Sequence, residues 1–157
     1  SKALCVTCHA HVAASPLFTD AKYHNLGVAA KPAEFLALAK QLAERPGDFE
    51  KLASAPGVEE LGRFAVTRTP QDLGAFKTPH LRNIALTAPY MHDGSEATLA
   101  EVIEYYDRGG NKNPWLDPNR RPLGLTAQEK ADLVALLETF TSSDLARFDE
   151  LGKLMPK

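Results

Sequence analysis

Both cysteines of this 157-residue chain fall within its first eight residues, in the run Leu4-Cys5-Val6-Thr7-Cys8-His9. The pattern is C-x-x-C-H, the spacing of a covalent c-type haem attachment site. The chemistry explains the spacing. Two thiols add to the two vinyl groups along one edge of the porphyrin, and the imidazole that follows donates a nitrogen to the iron as the proximal ligand. Rival uses of the same residues lack partners. A thioredoxin-like dithiol belongs to a βαβ context, and nothing β-rich surrounds this motif. A zinc site needs two further ligands, and His11, His24, His80 and His92 show no H-x₃₋₅-H spacing. A disulfide between Cys5 and Cys8 leaves His9 without a role. The expectation is therefore one covalently bound haem c, held by Cys5, Cys8 and His9.

Composition narrows the surroundings. The 18 basic and 20 acidic residues give a net charge of −2. No basic stripe is available for nucleic acid or an anionic membrane surface. No apolar run approaches the ~18 residues of a membrane-spanning helix. A length of 157 residues suits a single domain, here residues 1–157. Thioether haem attachment takes place outside the bacterial cytoplasm, so an exported, periplasmic location is expected. An export leader is expected as well, and Ser1 begins almost on the motif, so the chain is expected to be a processed or cut product.

Three segments carry helical periodicity. The first opens at Pro32, with Phe35, Leu38, Ala39 and Leu42 along one face and Pro46-Gly47 beyond its end. The second has Thr98 as N-cap and Glu101 three residues on, a capping-box spacing, then a stripe of Leu99, Val102, Ile103 and Tyr106 before Gly109-Gly110. The third repeats the device with Thr126 and Glu129, followed by Leu133, Leu136, Leu137 and Phe140. A further short helix is predicted over Ser143–Leu154. Residues 64–95 and 109–124 read as long loops, and no run alternates convincingly enough for many strands. The fold class predicted is all-α: a cytochrome c-like haem domain with long loops, since a porphyrin fills much of the core that side chains would otherwise supply.

The residue facing His9 across the iron decides the chemistry. A methionine raises the potential, a phenolate lowers it, and an open site admits small ligands. From pattern alone Met91, Tyr106, a histidine or an open position all remain. Met91 lies in the long loop. Tyr106 lies on the apolar stripe of its helix, whereas Tyr105, turned by about 100°, is expected to point elsewhere. Met155 reads as packing near the chain end.

Longer motifs then add a resemblance. Phe18-Thr19-Asp20-Ala21-Lys22-Tyr23-His24-Asn25-Leu26-Gly27-Val28 is one. Gly74-Ala75-Phe76-Lys77-Thr78-Pro79-His80-Leu81-Arg82-Asn83, running on to Ala88-Pro89-Tyr90-Met91-His92-Asp93-Gly94, is another. With Thr98-Leu99 through Arg108-Gly109-Gly110 and the helix after Leu125-Thr126, they resemble, in order, the C-terminal haem domain of the di-haem cytochrome c peroxidase family. The resemblance implies an N-terminal haem domain that reacts with peroxide, absent from these residues, and a C-terminal haem that transfers electrons. In methionine-ligated members the distal ligand lies 17 positions beyond the proline of P-Y-x-H-D-G. Counting from Pro89 reaches Tyr106, not Met91. A tyrosine there resembles the MauG-type branch, in which a His/Tyr haem shares oxidising equivalents with its partner haem. The resemblance further implies calcium between the domains, bound by the carbonyls of Thr87 and Pro89 with a third protein ligand from the absent domain.

Other residues receive more modest expectations. Arg82 is a candidate to pair a haem propionate. His24 and His92 are read as packing, propionate or ligand groups alike, His11 and His80 as exposed, and Trp115 as a hydrophobic anchor. No catalytic acid or base is identified. The function expected is an electron-transfer domain that relays or stores oxidising equivalents for a peroxide-reactive partner haem. Its partners are then the N-terminal haem domain of the same enzyme and an electron-donor or substrate protein. A stand-alone monohaem cytochrome with Met91 on the iron is the alternative, and a gas-binding domain with an open site a weaker third.

Overall fold

A computed structural model describes residues 2–11, 17–28, 32–44 and 56–144. Four α-helices are present among them: α1 (Pro32–Glu44), α2 (Phe64–Thr67), α3 (Leu99–Asp107) and α4 (Ala127–Glu138). Short 3₁₀ turns lie at Cys5–Thr7, Glu59–Leu61, Pro70–Asp72 and Ile84–Leu86. Strands β1 (Tyr23–His24) and β2 (Phe76–Lys77) pair antiparallel, with Tyr23 opposite Lys77 and His24 opposite Phe76. The stretch 64–95 is thus not one loop. It is broken by α2, β2 and two 3₁₀ turns, each too short for its period to show in the sequence. Most of the helix predicted over Ser143–Leu154, together with Met155 and the Phe35 side chain, lies outside the described residues.

The core forms where α1 meets the segment that follows it. Ala39 and Leu42 of α1 pack with Val58, Leu61, Phe64 and Leu73, and Leu38, Ala65 and Trp115 cover the edge. Trp115 thus anchors its loop to the core. Leu42 and Leu61 are fully enclosed, each contributing about 1.5–3 kcal/mol by leaving water.

The two capping boxes set where α3 and α4 begin. The Thr98 hydroxyl accepts from the Glu101 amide, and the Glu101 carboxylate accepts from the Thr98 amide. Thr126 and Glu129 do the same for α4. Each cap contributes about 1 kcal/mol. The two helices pack together, and Lys130 of α4 reaches Glu104 and Asp107 of α3 at 2.7 and 2.8 Å. The α4 stripe is less enclosed than its pattern predicts: Leu133 and Leu137 are half-buried and Leu136 is 50% exposed.

The loops are fastened by side chains. Buried Asn25 donates from Nδ2 to the Leu73 carbonyl at 2.7 Å. Its Oδ1 accepts from the Gly27 amide and from Asn113, and its carbonyl accepts from the Asp117 amide. One amide therefore ties the 23–28 segment to two distant loops. Gly27 and Gly110 allow the backbones to approach. At φ +78° and +75°, a side-chain carbon on either would collide with the carbonyl of Asn111 or Leu26 respectively.

Candidate haem site

The 3₁₀ turn at Cys5–Thr7 organises the motif. Its amides close back on Cys5, with Cys8 N–H donating to the Cys5 carbonyl at 3.3 Å and His9 N–H at 2.8 Å. In a 3₁₀ turn residues three apart eclipse one another, so Cys5 and Cys8 line up along one side. Both thiols are free. The Cys5 side chain is exposed, yet burial pushes its thiol up, and burial does the same for Cys8.

His9 is prepared as a ligand. Its Nδ1 lies 2.8 Å from the Phe18 carbonyl, an acceptor, so the ring hydrogen sits on Nδ1 and the lone pair on Nε2. Burial lowers its pKa, partly opposed by that hydrogen bond, and so favours the neutral ring a metal requires. Phe18 itself adopts φ +56°, a left-handed conformation that costs a side-chain-bearing residue about 1 kcal/mol. Its ring is clamped: Phe140 stacks on it at 4.2 Å, His11 lies at 5.4 Å, and the Arg82 guanidinium sits 5.1 Å over it.

The two tyrosines of α3 divide the work differently from the sequence expectation. Tyr105 does not point away. It is the more enclosed of the pair, 2% exposed, and its hydroxyl donates to the Leu26 carbonyl at 2.9 Å and accepts from the Asn111 amide at 3.4 Å. The helix is covered on two sides, so faces 100° apart are both enclosed. Tyr106 is half-buried, and its hydroxyl sits deep enough for burial to push it up to about 12, with Arg120 pulling the other way. The charges of Cys5, Cys8 and Tyr105 also bear on it, which puts the Tyr106 hydroxyl in the neighbourhood of the haem motif. That hydroxyl makes no hydrogen bond among the described residues.

Arg120 completes this wall and was not a sequence candidate. Its guanidinium lies 4.2 Å over the Tyr106 ring, and Nη2 donates to the Tyr106 carbonyl at 3.3 Å. No local pattern marks it; only the fold brings a residue of the 109–124 loop onto α3. Also unforeseen is a pair of carboxylates around His24. Nδ1 of its ring lies 2.6 Å from Asp117 and Nε2 lies 2.9 Å from Asp20. Both partners accept, so both nitrogens carry hydrogen and neither is left to bind iron. Burial lowers the His24 pKa, but the two carboxylates outweigh it and raise it overall. Cys8, Asp20 and His24 are the one group of metal-ligating side chains gathered within 4.8 Å among the described residues.

The remaining candidates lie elsewhere. His92 is paired with Glu60 at 3.0 Å and stacks on Phe76 at 3.7 Å. His11, His80 and Arg82 are exposed. Met91, at φ +69°, sits in the turn closed by the Tyr90–Glu96 bridge. Thr87 and Pro89 are exposed on the preceding turn, with the Thr87 hydroxyl donating to the Ile84 carbonyl at 3.1 Å.

The arrangement fits a covalently attached haem on three counts. Two aligned thiols are followed by an imidazole in the iron-binding tautomer. An unpartnered phenol lies in the same neighbourhood. The Nε of Arg120 is buried with no hydrogen-bond partner, a donor in want of an anionic acceptor.

No model of a protein family matches the chain. Curated relatives do. The cytochrome-c peroxidase IdrP1 of Pseudomonas sp. strain SCT is 37% identical over 157 residues, covering 95% of this chain and 39% of that protein. The methylamine utilization protein MauG of Methylorubrum extorquens is 32% identical, covering 92% of this chain and 33% of that protein. The chain thus spans well under half the length of the curated relatives it matches. Among solved structures, a MauG-like protein associated with microbial copper homeostasis superposes with a TM-score of 0.67 at 35% identity, over 92% of this chain and 41% of that one. The diheme peroxidase BthA of Burkholderia thailandensis superposes with a TM-score of 0.52 at 25% identity, over 88% of this chain and 39% of that one.

Proposed function

The chain belongs to the di-haem cytochrome c peroxidase and MauG family, and from that premise we propose that it is the cytochrome c-like, electron-transferring haem domain of a peroxidase-like oxidoreductase. Cys5 and Cys8 would hold one haem c, and His9 and Tyr106 would bind its iron. The observation that carries the reading is the His9–Phe18 hydrogen bond beside the two aligned thiols. It fixes the tautomer that leaves Nε2 for iron.

Haem held in this way supplies a one-electron couple. The chain's own residues do the rest. Phe18 orients the imidazole. Tyr106 offers a hard oxygen donor, which favours the oxidised metal over the reduced one. The side chains of α3 and the 109–124 loop wall the site. No catalytic acid or base is identified among the described residues. Reaction with peroxide belongs to a partner haem on an N-terminal domain of the same enzyme, and this domain relays or stores the oxidising equivalents passed on to a donor or substrate protein. Calcium at the boundary between the domains would use the carbonyls of Thr87 and Pro89. Such a protein works in the periplasm, where thioether attachment takes place.

Intact mass and a pyridine haemochrome spectrum test the attachment: one haem bound through two thioethers for this domain is expected, and an unmodified mass from a host with the attachment machinery overturns the reading. Tyr106→Phe tests the ligand. A marked change in the ferric spectrum is expected. An unchanged spectrum, with Met91→Leu changing it instead, supports the stand-alone electron carrier.

A further inference from the structure

Arg120 is set against the ring and carbonyl of Tyr106 rather than against a carboxylate. Arg63 pairs with Asp72 at 3.4 Å and Arg108 reaches Glu96 at 3.7 Å. Arg120 makes no ion pair among the described residues, although it is half-buried and its Nε is fully shielded from water. A guanidinium is always charged, and shielding its donor without an acceptor is unfavourable. Such a group persists where the surroundings hold it in place, and here three contacts do. The ring of Tyr106 supports one face, the Tyr106 carbonyl takes Nη2, and the Arg120 amide donates to the Asp117 carbonyl at 2.8 Å. Asp117 is itself fixed by His24 and Asn25.

We propose that Arg120 is a cofactor-binding residue whose Nε–H donates to a propionate carboxylate of the haem. The inference rests on the functional reading above and deepens it. A haem c brings two carboxylates and no other anionic side group, and a charge-assisted bond to one of them gives the shielded Nε the acceptor it lacks. It also points to an arginine other than Arg82, the propionate candidate read from the sequence. Arg82 is exposed over the outer ring of Phe18, while Arg120 is enclosed with its donor unmatched. The same contact joins the haem edge to the backbone of Tyr106, so the residue that would bind iron and the one that would bind the propionate share one support.

The test uses the full-length, haem-loaded protein and its Arg120→Gln and Arg120→Lys variants. Haem content is measured first; a wild-type protein without haem overturns the functional reading and this inference together. With haem in place, Arg120→Gln should lower the midpoint potential, because a cation near the iron is gone. The potential should also become pH-dependent near neutrality, because the propionate now takes up a proton there. Arg120→Lys should restore most of the potential. Resonance Raman carries the test independently of Gln folding. The propionate-bending band should shift in Arg120→Lys, which keeps the charge and loses the Nε–H. An unchanged band in Lys, or in a folded Gln variant an unchanged potential with a flat pH profile, overturns the assignment.

Discussion

The Nδ1–H of His9 is held 2.8 Å from the carbonyl of Phe18, a residue kept at φ +56° by aromatic clamping of its ring. Strain at one residue thus serves the orientation of another. The left-handed torsion costs about 1 kcal/mol, and the Phe140 stack, of similar magnitude, acts on the same residue.

Removing that ring is therefore expected to act twice. Phe18→Ala should destabilise the fold by roughly 2 kcal/mol, below the usual aromatic truncation because the ring is only half-buried. It should also release the carbonyl and loosen His9. Denaturant unfolding and the ferric spectrum at full haem load are the measurements. Lost stability with an unaltered spectrum would show that Phe18 packs without orienting the imidazole.

The neighbouring tyrosines should separate cleanly. Tyr105→Phe removes a hydroxyl that both donates and accepts, and should cost about 1–1.5 kcal/mol while leaving the haem spectrum alone. Tyr106→Phe removes a hydroxyl with no partner among the described residues and should cost little before haem is attached, while altering the spectrum afterwards. The reverse pattern would exchange their roles.

Stability should depend on pH from both sides through His24. Its folded pKa is raised above the ordinary 6.5 by Asp117 and Asp20, acting against burial. Its contribution is thus complete below about 6.5 and disappears as pH rises through the folded value. Asp20 behaves oppositely. Burial raises its carboxyl, but the Lys22 amide and the His24 ring outweigh this and bring it down to about 2. Its contribution is complete above the ordinary 3.8 and is lost as pH falls towards 2. His24→Gln should flatten the alkaline limb of a stability-against-pH profile. A limb of unchanged slope would place the titrating group elsewhere.

Gly27→Ala combines a left-handed backbone at φ +78° with a collision against the Asn111 backbone. Because the obstacle is main chain and cannot swing aside, a loss of about 3 kcal/mol or more is expected. Thermal unfolding measures it. At Gly124, also left-handed, open space surrounds the same addition, so Gly124→Ala should cost only about 1 kcal/mol of backbone strain.

What could be read in advance was local. C-x-x-C-H carries its own geometry within five residues, and the boxes Thr98–Glu101 and Thr126–Glu129 begin α3 and α4 where their spacing places them. The supporting contacts could not be read, because they join distant stretches. His24 and Asp117 are 93 positions apart, and Arg120 reaches Tyr106 from 14 positions away across a loop without periodicity. The helical-face argument took one side of α3 as inward. It missed Tyr105 because a short helix packed between a loop and another helix has no single outer face.

The amide of Asn25 reaches three separate stretches of chain from a site only 4% exposed. Loops ordinarily open one at a time, each at small cost, and exchange their amide hydrogens early. Here the 23–28, 71–75 and 111–117 stretches hang on one side chain, so none can open without unmaking the bonds of the others. Their protected amides should exchange at a common rate, and Asn25→Ala should speed all three together. The irregular backbone of this domain would then be its slowest-breathing part, a rigid frame of the kind that the proposed electron transfer would use, since it needs little nuclear rearrangement.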